Sequence, residues 1–195
     1  MNEKPESTAD KILAATVQLM SEKGYKSVTI KEIAAATSVS EMTVFRIFGT
    51  KKAILEAIVD NYLYSMPLEQ TILKKINFDL ETDLLMISKL YHEVLKKNKQ
   101  VYLISIMERN TMPEIHLNVH KNAAKFLKVV IEYLKTMQQK GKVVKGDPET
   151  QALTVMQFNY GKFVASALLE DSTSLLPHDD YLEDAITIIA KGLRP

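Results

Sequence analysis

Glycine and proline, the residues at which a chain turns most readily, are scarce here, with six of each in 195 residues. An all-β chain needs many more turns than that. Most of those present stand where helical spacing of apolar residues starts or stops. Gly24, Gly49, Gly141 and Gly192 follow such runs, Pro67 ends one, and Pro113 and Pro148 begin them. The chain therefore reads as a succession of helices.

Capping residues agree. Ser7 or Thr8 can start a first helix, with Asp10 in the capping-box position, and Ile12, Leu13, Thr16, Leu19 and Met20 recur at helical spacing up to Lys23. Thr29 with Glu32 is a full capping box for a second helix that stops near Thr37–Ser38. Ser40 caps a third, very short helix ended by Gly49, and Thr50 caps a fourth that ends before Pro67. Further helices are expected over 81–97, 100–109 and 113–140, from Asp147-Pro148-Glu149 to about Leu169, and from Asp179 or Asp180 to Lys191. With nine helices and no convincing strand, the fold class is all-α.

Composition closes off several alternatives. Hydrophobic residues make up 46% and charged residues 25%, which is ordinary for a globular chain and argues against disorder. Cysteine is absent, so disulfides, thiolate metal sites and cysteine nucleophiles are excluded, and a reducing, cytoplasmic home fits. The polar first eleven residues lead us to expect no secretory leader. Thr150–Leu169 is the stretch poorest in charge, but Lys162, Gln151, Gln157 and Asn159 make it a buried helix rather than a membrane span. We find no nucleophile–base set and no phosphate-cradling glycine loop, so an enzyme is not expected. His116 and His120 share a helix face at i, i+4, as zinc ligands can. Apart from the nearby Glu114 no third ligand is evident, and the pair reads as a solvated face, with no metal or other cofactor expected.

The net charge is only +1, but its distribution is uneven. Between residues 23 and 52 stand Lys23, Lys26, Lys31, Arg46, Lys51 and Lys52 against Glu32 and Glu41. Such a local excess can bind a polyanion or simply be a solvated helical surface. The same segment holds two short helices joined by a tight turn, and the second is too short to be stable alone. A short helix held by its neighbours can be offered to the DNA major groove, its N-terminal residues reaching base edges.

Gly24-Tyr25, Thr29, Ile33-Ala34, Val39-Ser40, Thr43-Val44-Phe45, Phe48 and Thr50-Lys51-Lys52-Ala53-Ile54-Leu55 together resemble the tetracycline-repressor (TetR/AcrR) family of regulators, closely over about residues 8–60. The resemblance implies a helix-turn-helix DNA-binding domain over residues 1–50. A helical ligand-binding and dimerisation domain is implied over 51–195, the whole acting as a repressor released from a pseudo-palindromic operator by a small apolar effector. Four positions depart from the family pattern: Ser38 and Met42 stand where glycine is common, Phe45 replaces the usual tyrosine, and Ile47 a frequent histidine. The competing reading is a helical interaction module that has lost DNA binding.

Candidate DNA contacts are Thr29, at a helix N-terminus that can hold a phosphate, and Lys51, whose cation at a helix start opposes the dipole and suits a phosphate partner. The exposed side of the third helix adds Ser40, Glu41, Met42, Thr43, Phe45 and Arg46. Arg46 can grip guanine or only a phosphate. Glu41 can accept from cytosine or merely fill space, and Phe45 can meet a thymine methyl or pack on sugar. In the second domain Met86, Tyr91, Met107, Phe126, Met156 and Tyr160 can line an adaptable pocket or form ordinary core. The homodimer is expected to form through the last two helices, around Phe163, Val164, Ala167, Ile186 and Ile189.

Overall fold

The computed structural model describes residues 7–63, 68–168 and 181–195. Among them are ten helices and no strand: α1 (Thr8–Lys23), α2 (Ile30–Ala36), α3 (Glu41–Phe48), α4 (Lys51–Leu63), α5 (Leu68–Lys75), α6 (Leu80–Lys97), α7 (Lys99–Met107), α8 (Pro113–Gln139), α9 (Pro148–Leu168) and α10 (Tyr181–Leu193). The expected all-α class holds, with one helix more than the sequence suggested. The addition is α5, eight residues long, in which Ile72 is fully buried and Leu73 lies open, too small an apolar set to announce itself by periodicity. The expected loop over Ser172–His178 falls outside the described residues.

The caps form as expected. Ser7 accepts from the Asp10 amide while the Asp10 carboxylate accepts from the Ser7 amide. Asp147 accepts from the Thr150 amide at the start of α9. Each cap pairs N–H groups that a helix start otherwise leaves unsatisfied.

Packing divides the chain into two compact units. The first holds α1–α4, α7 and the start of α8, around a core that includes Ile12, Met20, Ile33, Val44, Ile54, Leu55, Ile58, Ile104 and Ile115. The domain break expected between residues 50 and 51 is not a packing boundary. Helix α4 lies on α1, α3 and α7, and its Ile54, Leu55 and Ile58 are fully buried in that first core. The second unit holds α5, α6, the rest of α8, α9 and α10, around Leu84, Ile87, Val130, Leu134, Val155 and Ile186. Two polar pairs lie inside it. The Tyr133 hydroxyl donates to the buried Asp83 carboxylate at 3.0 Å, and the Asn159 amide donates to the Ser88 hydroxyl at 3.0 Å. Burial and the adjacent Asp83 charge push the Tyr133 phenol well above the ordinary tyrosine range. No described helix is long and apolar enough to cross a membrane.

Candidate nucleic-acid interface

The residues that build α2 and α3 fix their relative position through backbone geometry. Thr29 and Glu32 form the capping box. The Thr29 hydroxyl accepts from the Glu32 amide, while the Thr29 amide and hydroxyl donate to the Glu32 carboxylate at 2.9 and 3.0 Å. The other carboxylate oxygen accepts from Lys23 at 3.0 Å. Chiefly through Lys23, and then through Thr29, the Glu32 carboxyl is held down at about 2. Thr29 is thus a cap whose hydroxyl and amide are both engaged by Glu32.

At the far end of α2 the chain reverses. The Val39 amide donates to the Ala34 carbonyl, and Ser38 sits in the left-handed region at φ 56°. This is the turn position at which the sequence has serine in place of the glycine common in the family pattern. A β-carbon crowds the following carbonyl there, so the turn carries strain that glycine lacks.

Helix α3 starts at Ser40, whose hydroxyl accepts from the Thr43 amide at 3.1 Å and shares a hydrogen bond with the Thr43 hydroxyl at 2.9 Å. It ends at Gly49, whose φ of 75° suits glycine and whose amide donates to the Phe45 carbonyl. Val44 alone on α3 is fully buried. Glu41, Met42, Phe45, Arg46 and Ile47 are exposed, Met42 at 74% and Phe45 at 63%. The side of α3 that the sequence marks as outward is therefore open. The side chains of Glu41 and Arg46 make no hydrogen bond or ion pair among the described residues.

The basic excess is smaller in space than in sequence. Lys23 pairs with Glu32, and Lys52 with Glu114 at 2.8 Å. Lys51, expected to face a phosphate, turns its ammonium to the protein's own backbone. Its ammonium donates to the carbonyls of Tyr25, Lys26 and Val28 at 2.7, 3.4 and 2.6 Å and lies 4.3 Å from the Tyr25 ring centroid. An ammonium has three donors, and all three point at the α1–α2 connection rather than outward. Burial lowers its pKa, opposed by the charges of Glu108 and Glu32. Lys26, Lys31 and Arg46 remain as cations of this segment whose side chains have no partner among the described residues. One participant has no sequence signature. The buried Glu108, at the end of α7, accepts from the Tyr25 amide at 3.2 Å and so fixes the same connection from the other side.

In the second unit Tyr91 and Phe126 stack at 4.9 Å and, with Met156, belong to the filled core, while Met86 packs against it and Tyr160 is partly open. Met107 is not among them: it lies on α7 of the first unit and is 50% exposed. A cavity of about 460 Å³ in the second unit is lined instead by Leu73, Ile76, Phe78, Val129 and Tyr133, with Lys125, Lys128, Glu69 and Glu132 among the polar members. Of the expected dimer residues, Phe163, Ala167 and Ile186 are buried, Ile186 in the core of the second unit, and Val164 and Ile189 are half-buried. The apolar side chains that α9 and α10 leave in the open are Tyr160, Leu168, Tyr181 and Ile188, the last at 70% exposure. Both helices carry apolar residues on more than one face, so spacing alone selects the inner set.

A two-helix reading head whose second helix turns a mixed apolar and charged face outward, carried on an otherwise helical chain, defines a helix-turn-helix transcriptional regulator. Comparison with known proteins specifies it further. Residues 12–58 match the family model described as bacterial regulatory proteins, tetR family. The HTH-type transcriptional regulator YvkB of Bacillus subtilis (strain 168) is 31% identical over 186 residues, covering 95% of this chain and 97% of that one. Among solved structures, Salmonella enterica GusR superposes with a TM-score of 0.70 at 19% identity, over 98% of this chain and 97% of that one. The regulator FadR from Bacillus subtilis, in complex with stearoyl-CoA, superposes with a TM-score of 0.69 at 15% identity, over 93% and 95%. The chain belongs to the TetR family of bacterial transcriptional regulators.

Proposed function

We propose that the protein is a ligand-responsive repressor that binds a pseudo-palindromic operator as a homodimer. The observation that carries this reading is the open face of α3, where Arg46 and Glu41, without a side-chain partner among the described residues, stand beside exposed apolar side chains. Two such helices enter successive major grooves about 34–36 Å apart. Ser40 and Thr43 set the N-terminus of α3, Glu41, Met42, Phe45 and Arg46 meet the bases, and Lys26 and Lys31 answer the phosphates. The second copy covers the exposed apolar side chains of α9 and α10, Leu168 and Ile188 above all, since burying them against a partner removes apolar area from water.

The effector is an amphiphile with an apolar body and an anionic head. The apolar lining of the cavity of about 460 Å³ suits the body, and Lys125 and Lys128, which share the lining with Glu69 and Glu132, are the cations that can meet the head. The FadR structure with stearoyl-CoA supports a fatty acid or its thioester as the first candidate. Such a ligand releases DNA only to the extent that it prefers the released conformation.

The test is a mobility-shift titration on duplexes enriched from a random library, repeated in rising salt and then with added fatty acids and acyl-CoA esters. A repressor shows binding that weakens steeply with salt and release by one ligand class. Absence of any salt-sensitive binding favours the interaction-module alternative.

A further inference from the structure

The exposed face of α3 poses a chemical question. A helix that reads bases by hydrogen bonds should offer polar groups, yet two of its widely exposed side chains are apolar. Met42 and Phe45 are spaced i, i+3 and so neighbour one another on one face. Ser40 and Thr43 hydrogen-bond to each other at 2.9 Å, which ties one of their two hydroxyl protons to the partner oxygen. The charged groups of this face are Arg46 and Glu41, whose side chains have no partner among the described residues.

Resting on the DNA-binding reading above, we propose that Met42 and Phe45 select thymine by covering its C5-methyl group in the major groove. The C5-methyl is the feature of a base edge there that an apolar side chain recognises, since the other edge groups are hydrogen-bond donors and acceptors. The occupant is double-stranded DNA rather than a protein because the apolar pair adjoins Arg46 on the same short helix, and the segment carries two more cations, Lys26 and Lys31, whose side chains have no partner among the described residues. Thymines at the steps facing the two side chains give specificity, and Arg46 and Glu41 set polarity and register.

Deoxyuridine provides the test, because it pairs as thymine does and lacks only the methyl. Duplexes enriched by the full-length protein are resynthesised with each thymine in turn replaced by deoxyuridine, and affinities are measured for the wild type, Met42→Ala and Phe45→Ala. The expected loss for the wild type is about fourfold for each methyl covered, the factor corresponding to about 0.8 kcal/mol per buried methyl-sized group. Each variant is expected to lose its discrimination at one thymine and keep it at the other. Both side chains are exposed, so the variants should keep the wild-type circular dichroism and melting temperature. Equal wild-type affinity for thymine and deoxyuridine duplexes overturns the inference and leaves DNA binding intact. So does discrimination that persists in both variants. Failure to enrich any duplex overturns the DNA-binding reading and this inference with it.

Discussion

The Lys51 ammonium lies 2.6 Å from the Val28 carbonyl oxygen, at the junction of α1 and α2, with the Tyr25 carbonyl at 2.7 Å and the Tyr25 ring beneath it. A cation at the start of α4 opposes the helix dipole, and this cage of carbonyls offsets that cost. Replacing Lys51 by methionine keeps the stem and removes the donors. We expect a loss of about 1–3 kcal/mol in stability, measured by denaturant unfolding, because partly buried carbonyls lose charged partners. Sensitivity of DNA binding to salt should stay as in the wild type; a shallower slope would return Lys51 to the phosphate contacts.

The opposite result is expected for Lys26 and Lys31, whose side chains have no partner among the described residues. Changing either to glutamine should leave the melting temperature almost unmoved. The slope of log affinity against log salt should flatten by about 1 for each phosphate contact removed.

Ser38, at φ 56°, holds a conformation that costs an L-residue free energy and costs glycine little. Ser38→Gly should therefore stabilise the protein by about 1 kcal/mol despite the greater freedom glycine gives the unfolded chain. A β-branched residue there should destabilise it. Thermal unfolding of Ser38→Gly and Ser38→Val against the wild type measures both.

Glu32 makes part of the stability dependent on acid. Its carboxyl titrates at about 2 in the folded protein against an ordinary value of 4.5, mainly because of Lys23 and then Thr29. A group depressed in the folded state stabilises above its unfolded pKa, and that contribution disappears as pH falls through the folded value. Stability should decline between about pH 4.5 and 2. Glu32→Gln should be less stable at neutral pH and show a smaller decline over that window, as followed by unfolding at a series of pH values.

Ile188, 70% exposed on α10, tests the dimer. Ile188→Asp should convert two-chain particles to single chains in light scattering, and affinity for a two-half-site duplex should fall much more than affinity for one half-site. The same change at the buried Ile186 should instead unfold the second unit, since an unpaired charge in a core is expensive.

What the sequence made legible was local. Each cap at Ser7, Thr29, Ser40, Thr50 and Asp147 is decided within four residues, so the helix starts and the turn before α3 can be read directly from the chain. The carbonyl partners of Lys51 are not legible in the sequence because they lie 23 to 26 residues away, and only tertiary packing determines which way its stem runs. Glu108 is farther still, 83 residues from the amide it binds. In α9 and α10 apolar residues occupy several faces, and hydrophobic spacing cannot separate the side that fills its own unit from the side left in water. The reading head was accessible because it is built from near neighbours, whereas the cavity brings together α5, the α5–α6 connection and α8, and α5 itself is too short to be seen.

Helix α3 anchors itself through one fully buried side chain, Val44, between a serine start and a glycine stop. Exchanges at its exposed positions should typically shift folding free energy by no more than about 0.5 kcal/mol. If these positions read the operator as proposed, mutation can rewrite which promoters this regulator finds almost without touching the scaffold that presents them. A duplicated copy is free to acquire a new set of target genes by a few substitutions on this one helix.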